Sequence, residues 1–236
     1  MLRHYGKLHS VALGKEMEHL VFGHAGAPVV VFPTSKGRFF QWEDFHMIEV
    51  LREHLERGWL QLFCVDSVDD LSWYNFVDHQ RVQLDWHAAY EEYLLHEFLP
   101  QLRAFNANPF LILTGASFGG FHAVNFALRY PQVAQRVVAM SGDYRAEKYV
   151  EGYYDEDVLA NSPLDYLPGL DPGSLNPDVR KVEFRLASGR WDFCLEPTLE
   201  LSHHLQRLGV PVQCHVWEDP GMHDWPLWRR QIAHYL

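Results

Sequence analysis

Cysteine is scarce in this chain, with three residues among 236. An odd number of cysteines in a chain of this length implies no disulfide framework, and no Cys-x-x-Cys pair or close Cys/His spacing indicates a zinc site. Cys64 and Cys214 lie in apolar, strand-like runs, where a cysteine usually serves as a small buried apolar residue. We therefore expect a fold that relies on neither disulfide bonds nor a structural metal.

Basic residues are also in deficit, with 20 Lys and Arg against 31 Asp and Glu and a formal net charge of -11. Nucleic acids and anionic membranes attract proteins through basic patches, so we expect neither as a partner. No apolar run approaches the roughly 18 residues that span a bilayer. The first ten residues, MLRHYGKLHS, lack the apolar core of a secretory signal. A cytoplasmic protein is the expectation.

The chain is rich in apolar residues, with 47% hydrophobic and 14% aromatic, which is ample for one large core. Short apolar runs alternate with longer segments of helical periodicity. This pattern predicts an α/β fold with a mostly parallel central sheet and helices on both faces. The predicted strands are 19–22, 28–32, 60–65, 110–114, 136–140, 182–187 and 212–217. The predicted helices are 43–56, about 82–105, 118–130, 197–208 and about 226–235.

The strand composition also predicts positions in the sheet. The runs at 28–32, 110–114 and 136–140 are apolar throughout, as expected of central strands covered on both faces. Those at 182–187 and 212–217 alternate in polarity, which favours positions nearer an edge.

Residues 142–178 interrupt the alternation, since they are rich in Tyr, Asp, Pro and Gly and contain no clear strand. Irregular connections of this length often form lids or binding loops, and the alternative is a surface loop without a function. We predict one domain over residues 1–236, with a lid-like insertion at about 142–178.

The most informative motif is Gly-Ala-Ser-Phe-Gly at residues 115–119. It matches G-x-S-x-G and lies between an apolar strand and a helical pattern, which is the structural context that this motif requires. Glycines flank the serine because the sharp turn brings strand and helix close together. Ser117 is therefore the candidate nucleophile, held at a helix N-terminus where a developing negative charge is favoured.

A serine nucleophile needs a general base and a third group that orients the base. His223 lies in a predicted loop between the last strand and the last helix, and Asp192 lies in the loop after strand 182–187. The chain order Ser117, Asp192, His223 is the order found with this motif. Other downstream histidines fall within a predicted helix or strand. These are His203, His204, His215 and His234.

The acid has alternatives, because it only has to orient the imidazole and stabilise its charged form. Asp143 follows strand 136–140 and is the main alternative. Glu196 and Asp219 are further options.

An oxyanion hole needs two backbone N–H groups. One is expected from Phe118, which follows the nucleophile, and the other from the loop after strand 28–32. That loop begins PTSKG, and Ser35 or Lys36 is the expected donor.

Taken together, the Gly115–Gly120 motif, the upstream FPTSKG and the late HDWPLW sequence resemble the putative-esterase family of α/β-hydrolases. That family includes esterase D-like enzymes and the antigen-85 mycolyltransferases, and the resemblance extends from about Val29 to the C-terminus. It implies an α/β-hydrolase fold with Ser117 as nucleophile, His223 as base and Asp192 as acid. It also implies Phe118 and a residue of the 34–36 loop as the oxyanion hole.

The predicted activity is hydrolysis of a small carboxylic ester, without a metal or an organic cofactor. The same residues would serve an acyltransferase that uses an alcohol as acceptor, and a non-catalytic binding protein on the same fold is a further alternative. Aromatic residues are expected to flank the site, and the alternative is that they pack in the core. They are Phe39, Phe40, Trp42, Trp73, Tyr74, Trp191 and the tyrosines of the long loop.

Overall fold

The computed structural model describes residues 1–218 and 221–236 and contains one eight-stranded sheet in the order β1-β2-β4-β3-β5-β6-β7-β8. The pairs β1–β2 and β2–β4 are antiparallel, and all the other pairs are parallel. The predicted α/β class with a mostly parallel sheet is confirmed. The strands are β1 (Arg3–Ser10), β2 (Lys15–Phe22), β3 (Ala27–Phe32), β4 (Leu60–Val65), β5 (Ile112–Ala116), β6 (Arg136–Met140), β7 (Glu183–Gly189) and β8 (Val212–Trp217).

Helices cover both faces of the sheet. The α-helices are α1 (Gln41–Asp44), α2 (Met47–Val50), α3 (Arg52–Glu56), α4 (Gln80–Tyr93), α5 (Leu99–Phe105), α6 (Phe118–Arg129), α7 (Glu156–Ala160), α8 (Pro163–Tyr166), α9 (Leu195–Arg207) and α10 (Trp225–Tyr235). A π-helical turn, Leu94–Phe98, connects α4 to α5. Short 3₁₀ turns occupy Glu147–Tyr149, Leu167–Gly169 and Pro177–Lys181. In the described residues, no helix has the length and apolar character needed to cross a membrane.

Strand β3 shows how the sheet is buried from both sides. Val30 and Phe32 belong to one apolar cluster, which includes residues of α4, α6 and α9. Val29 and Val31 belong to a second cluster, on the opposite face, with residues of α2, α3 and α10. Successive residues of a strand point to opposite faces, so a strand buried on both sides is apolar throughout. This confirms the central placement predicted for the runs that became β3, β5 and β6.

Several predicted elements differ from the structure. Strand β1 was not predicted, because most of its side chains are exposed and it contains no apolar run. The predicted helix 43–56 is three short helices, and His46 between the first two has a left-handed backbone, φ 59°, which a continuing α-helix cannot accommodate. The predicted strand 110–114 is shifted to Ile112–Ala116. Residues 142–178 contain short helical turns and no strand.

Candidate active site

Ser117 lies between β5 and α6 on a turn with unusual backbone geometry. Its φ is 55° and its ψ is -124°, a conformation that costs a non-glycine residue energy and is concentrated at functional sites. The flanking glycines are required by close packing. A Cβ on Gly115 would lie 2.2 Å from the carbonyl carbon of Gly119, and one on Gly119 would lie 2.5 Å from the Phe32 oxygen.

Ser117, His223 and Asp192 form a hydrogen-bonded series. His223 Nε2 lies 2.8 Å from Ser117 Oγ, and His223 Nδ1 lies 3.0 Å from Asp192 Oδ1. An ionised carboxylate can only accept hydrogen bonds, so Nδ1 carries the ring proton and Nε2 is left to accept from the serine hydroxyl. The structure thus brings together, at hydrogen-bond distances, the three residues that the sequence singled out.

Asp192 is buried, with 5% of its surface exposed. Burial opposes ionisation, but hydrogen bonds from His223, the Ser141 hydroxyl and the Cys194 N–H hold the pKa of Asp192 below its ordinary value. The Cys194 N–H donates to Asp192 Oδ1 at 2.8 Å. Ser141 accepts a hydrogen bond from Trp228 Nε1 at 2.9 Å, which positions its hydroxyl. The acid is therefore charged at neutral pH and fixed in place.

The alternative acids occupy other positions. Asp143 Oδ2 forms an ion pair with Lys148 Nζ at 2.5 Å, and Asp192 holds the place beside His223 that was considered for Asp143. Glu196 lies in the first turn of α9, and Asp219 lies outside the described residues.

The competing histidines are also placed elsewhere. His203 and His204 are in α9, and His234 is in α10. His215 is in β8, where its Nδ1 lies 2.8 Å from the Tyr235 hydroxyl.

The backbone donors expected around the serine differ in their availability. Phe118 is the first residue of α6, so its N–H has no acceptor within the helix. The Lys36 N–H already donates to Asp69 Oδ2 at 2.8 Å. Ser35 lines the same pocket as Ser117 and Phe118, and its N–H has no acceptor among the described residues.

Asp69 connects the loop after β3 to α6. Its Oδ2 accepts from Lys36, and its Oδ1 lies 3.0 Å from His122 Nε2. Both Asp69 and His122 are buried, and the His122 ring packs against Phe118 at a centroid distance of 4.7 Å. Lys36 has a left-handed backbone, φ 57°, and Asp69 holds that conformation. Sequence analysis missed this connection because the residues are far apart in the chain.

A small pocket of about 100 Å³ opens beside Ser117. The Tyr74 hydroxyl donates to Ser35 Oγ at 2.6 Å and lies 3.4 Å from the Tyr149 hydroxyl. The lining residues are Ser35, Tyr74, Ser117, Phe118, Asp143, Lys148, Tyr149, Phe193 and Cys194. A wider groove of about 650 Å³ adjoins Asp192 and Phe193 and includes Leu199 and Glu196.

The aromatic residues that were expected to flank the site divide into three groups. Phe40 and Trp191 are exposed and do not line the pocket beside Ser117. Phe39, Trp42 and Trp73 are buried in apolar clusters, so for them the alternative of core packing holds. Tyr74 lines the pocket. Phe193, which the sequence did not single out, is 72% exposed and stacks on His223 at 4.2 Å between ring centroids.

Comparison with known proteins agrees with this architecture. Residues 64–160 match the model of the putative-esterase family. This segment contains Ser117 and ends before Asp192, so it is shorter than the resemblance predicted from the sequence. An acetyl esterase of Caldicellulosiruptor saccharolyticus is 29% identical over 139 residues, which cover 50% of this chain and 50% of that protein. The match thus spans about half the length of this curated relative.

Solved structures match over almost the entire chain. A ferulic acid esterase superposes with a TM-score of 0.80 at 20% identity, covering 100% of this chain and 96% of the other. An S-formylglutathione hydrolase of Staphylococcus aureus superposes with a TM-score of 0.70 at 18% identity, covering 99% and 95%. At these identities the superpositions establish the fold. The match of residues 64–160 to the putative-esterase model confirms the resemblance predicted from the sequence, and the superpositions show that the chain shares the fold of these esterases.

Proposed function

We propose that this protein is a serine esterase that hydrolyses small carboxylic esters through Ser117, His223 and Asp192. The observation that carries the proposal is the hydrogen-bonded series of these residues, with 2.8 Å and 3.0 Å between the donor and acceptor atoms. Ser117 is held on a strained turn and lines a pocket. Backbone strain at an accessible nucleophile is typical of a functional site.

Acylation begins when Ser117 Oγ attacks the ester carbonyl and its proton passes to His223 Nε2. Asp192 stabilises the imidazolium that forms. The carbonyl oxygen becomes an oxyanion, which accepts hydrogen bonds from the Phe118 N–H and the Ser35 N–H. When the tetrahedral intermediate collapses, the bond to the alcohol oxygen breaks, and His223 returns the proton to that oxygen. The alcohol leaves, and the acyl group stays on Ser117.

Deacylation repeats these steps with water as the nucleophile. His223 Nε2 takes a proton from the water, whose oxygen attacks the acyl carbonyl, and the proton then returns to Ser117 Oγ as the acid is released. Ser117 and His223 are both partly exposed, which gives water access to this position. Open access favours hydrolysis over transfer to an alcohol, because an acyltransferase has to exclude water.

The pocket favours a short acyl group. Its volume of about 100 Å³ is bounded by Tyr74, Phe118 and Tyr149, which leaves room for only a few non-hydrogen atoms. The acetyl esterase similar to this chain has a name consistent with this size. We also infer that residues 142–178 shape the pocket, since Asp143, Lys148 and Tyr149 from this segment are among its walls.

The test is hydrolysis of p-nitrophenyl esters of increasing acyl length by the wild type, Ser117→Ala and Ser174→Ala. Ser174 is an exposed serine and serves as the matched control. We expect turnover of acetyl esters, a decline with longer chains, and a loss of several orders of magnitude in Ser117→Ala only. A wild type inactive on every ester, or equal activity in Ser117→Ala, would refute the proposal. Transfer is tested by adding alcohols and measuring new ester against free acid.

A further inference from the structure

Three different donor atoms lie close together beside Ser117, on the side chains of Asp192, Cys194 and His223. A carboxylate oxygen, the thiol sulfur and an imidazole nitrogen all lie within 4.8 Å of one another. These are the three side-chain donor types that Zn²⁺ binds in proteins. The residues belong to two separate loops, after β7 and after β8, so no local spacing in the sequence indicates the cluster.

The geometry requires only a modest adjustment to bind a metal. With Zn–S near 2.3 Å and Zn–N near 2.0 Å, the donors of a tetrahedral site are separated by about 3.5 Å. Asp192 and Cys194 are already fixed in one turn, since Asp192 N–H donates to the Gly189 oxygen at 3.1 Å and Cys194 N–H donates to Asp192 Oδ1 at 2.8 Å. The imidazole of His223 is less enclosed, with 15% of its side chain exposed. The three donor atoms lie within 4.8 Å of one another, so they have to approach by about 1.3 Å at most to reach this spacing.

Cys194 differs from the other cysteines in its position. It lines the pocket that contains Ser117, with 2% of its surface exposed. The other two cysteines are in strands, Cys64 in β4 and Cys214 in β8. A water molecule can provide the fourth donor.

We propose that Asp192, Cys194 and His223 form an inhibitory binding site for Zn²⁺. Binding replaces the thiol proton with the metal and releases that proton to solvent. The inhibitory consequence rests on the proposed esterase function, whereas binding itself does not. A metal on Nε2 uses the lone pair that would accept the Ser117 proton. A metal on Nδ1 leaves the ring proton on Nε2, which can then donate a hydrogen bond but cannot accept the Ser117 proton. In either case His223 cannot act as the base.

Binding is tested without reference to activity by adding Co²⁺ as a spectroscopic substitute for Zn²⁺. A cobalt–thiolate bond gives an intense near-ultraviolet charge-transfer band, and Zn²⁺ competition then gives its affinity. We expect the band in the wild type and in Cys214→Ser. We expect it to be absent in Cys194→Ser and Cys194→Ala, with Zn²⁺ affinity reduced by about tenfold or more, since loss of an outer hydrogen bond alone costs about 10- to 100-fold. Circular dichroism establishes that each variant is folded.

Inhibition is measured separately, as the rate on p-nitrophenyl acetate with Zn²⁺ divided by the same variant's rate in chelator. The wild type and Cys214→Ser should lose activity reversibly, and Cys194→Ser should retain a larger fraction. Absence of the cobalt–thiolate band in the wild type, or an equal band in Cys194→Ser, would overturn the proposal. A wild type that shows the band but hydrolyses no ester supports the metal site and refutes only the esterase function.

Discussion

Replacing Asp192 by asparagine tests how the acid acts on His223, because the change removes the charge and keeps the shape. In the structure the Cys194 N–H and His223 Nδ1 both approach the same oxygen, Oδ1, at 2.8 and 3.0 Å. The Cys194 N–H can only donate, so it selects the oxygen of the new amide for this position. The Nδ1–H of His223 therefore keeps its acceptor, and the imidazole keeps the tautomer that accepts from Ser117.

The expected loss is therefore electrostatic. Opposite charges about 4 Å apart interact by about 4 kcal/mol at an effective dielectric constant near 20, and the amide dipole recovers part of this. We expect transition-state stabilisation to fall by about 3 kcal/mol, which lowers kcat/KM about 100-fold. Where asparagine imposes the wrong tautomer on a catalytic histidine, the loss is instead about 10⁴-fold.

The assay is kcat/KM for p-nitrophenyl acetate at one mildly alkaline pH, in the wild type, Asp192→Asn, Asp192→Ala and Asp143→Asn. Asp192→Ala removes both the charge and the acceptor and should be far less active than Asp192→Asn. Asp143→Asn should lose less than Asp192→Asn, since Asp143 pairs with Lys148. Equal losses in the two Asp192 variants would contradict the argument that Cys194 fixes the amide, and a larger loss in Asp143→Asn would refute Asp192 as the acid.

Two further predictions concern buried carboxylates. Asp69→Ala leaves the Lys36 N–H without its acceptor, so the loop after β3, which contains Ser35, should shift. Because loss of one oxyanion donor costs about 10²- to 10³-fold, kcat should fall about tenfold or more with little change in KM. A change confined to KM would contradict this. Glu91 is buried, which opposes ionisation, but His87 and Arg129 hold its pKa below the ordinary value. A carboxyl group whose pKa is lower in the folded state stabilises the protein at pH values above its unfolded-state pKa, about 4.3. This stabilisation is lost as the pH falls through the folded-state pKa. In urea unfolding at neutral pH, the free energy of unfolding of Glu91→Gln should therefore be about 3 kcal/mol below that of the wild type. In acid this difference should be smaller, and a difference that does not change with pH would refute the linkage.

The sequence determined the features that depend on local sterics and local burial. The Gly-x-Ser-x-Gly turn was predictable because Gly115 and Gly119 meet a steric requirement within five residues. Strands β4, β6 and β8 have the predicted bounds, since each is a distinct run ended by polar or turn-forming residues. Strand β1 was missed because it has no such apolar run. It pairs with β2 through its backbone, and most of its side chains remain exposed.

The tertiary structure decided which of the candidates meet. Asp143 and Asp192 both follow strand ends on the same edge of the sheet, and only the turn after β7 places a carboxylate 3.0 Å from His223 Nδ1. Likewise, the acceptor of the Lys36 N–H is Asp69, a residue 33 positions away. The cluster of Asp192, Cys194 and His223 also joins two loops. Such contacts depend on how distant segments pack, and a local pattern contains no information about the distance between them.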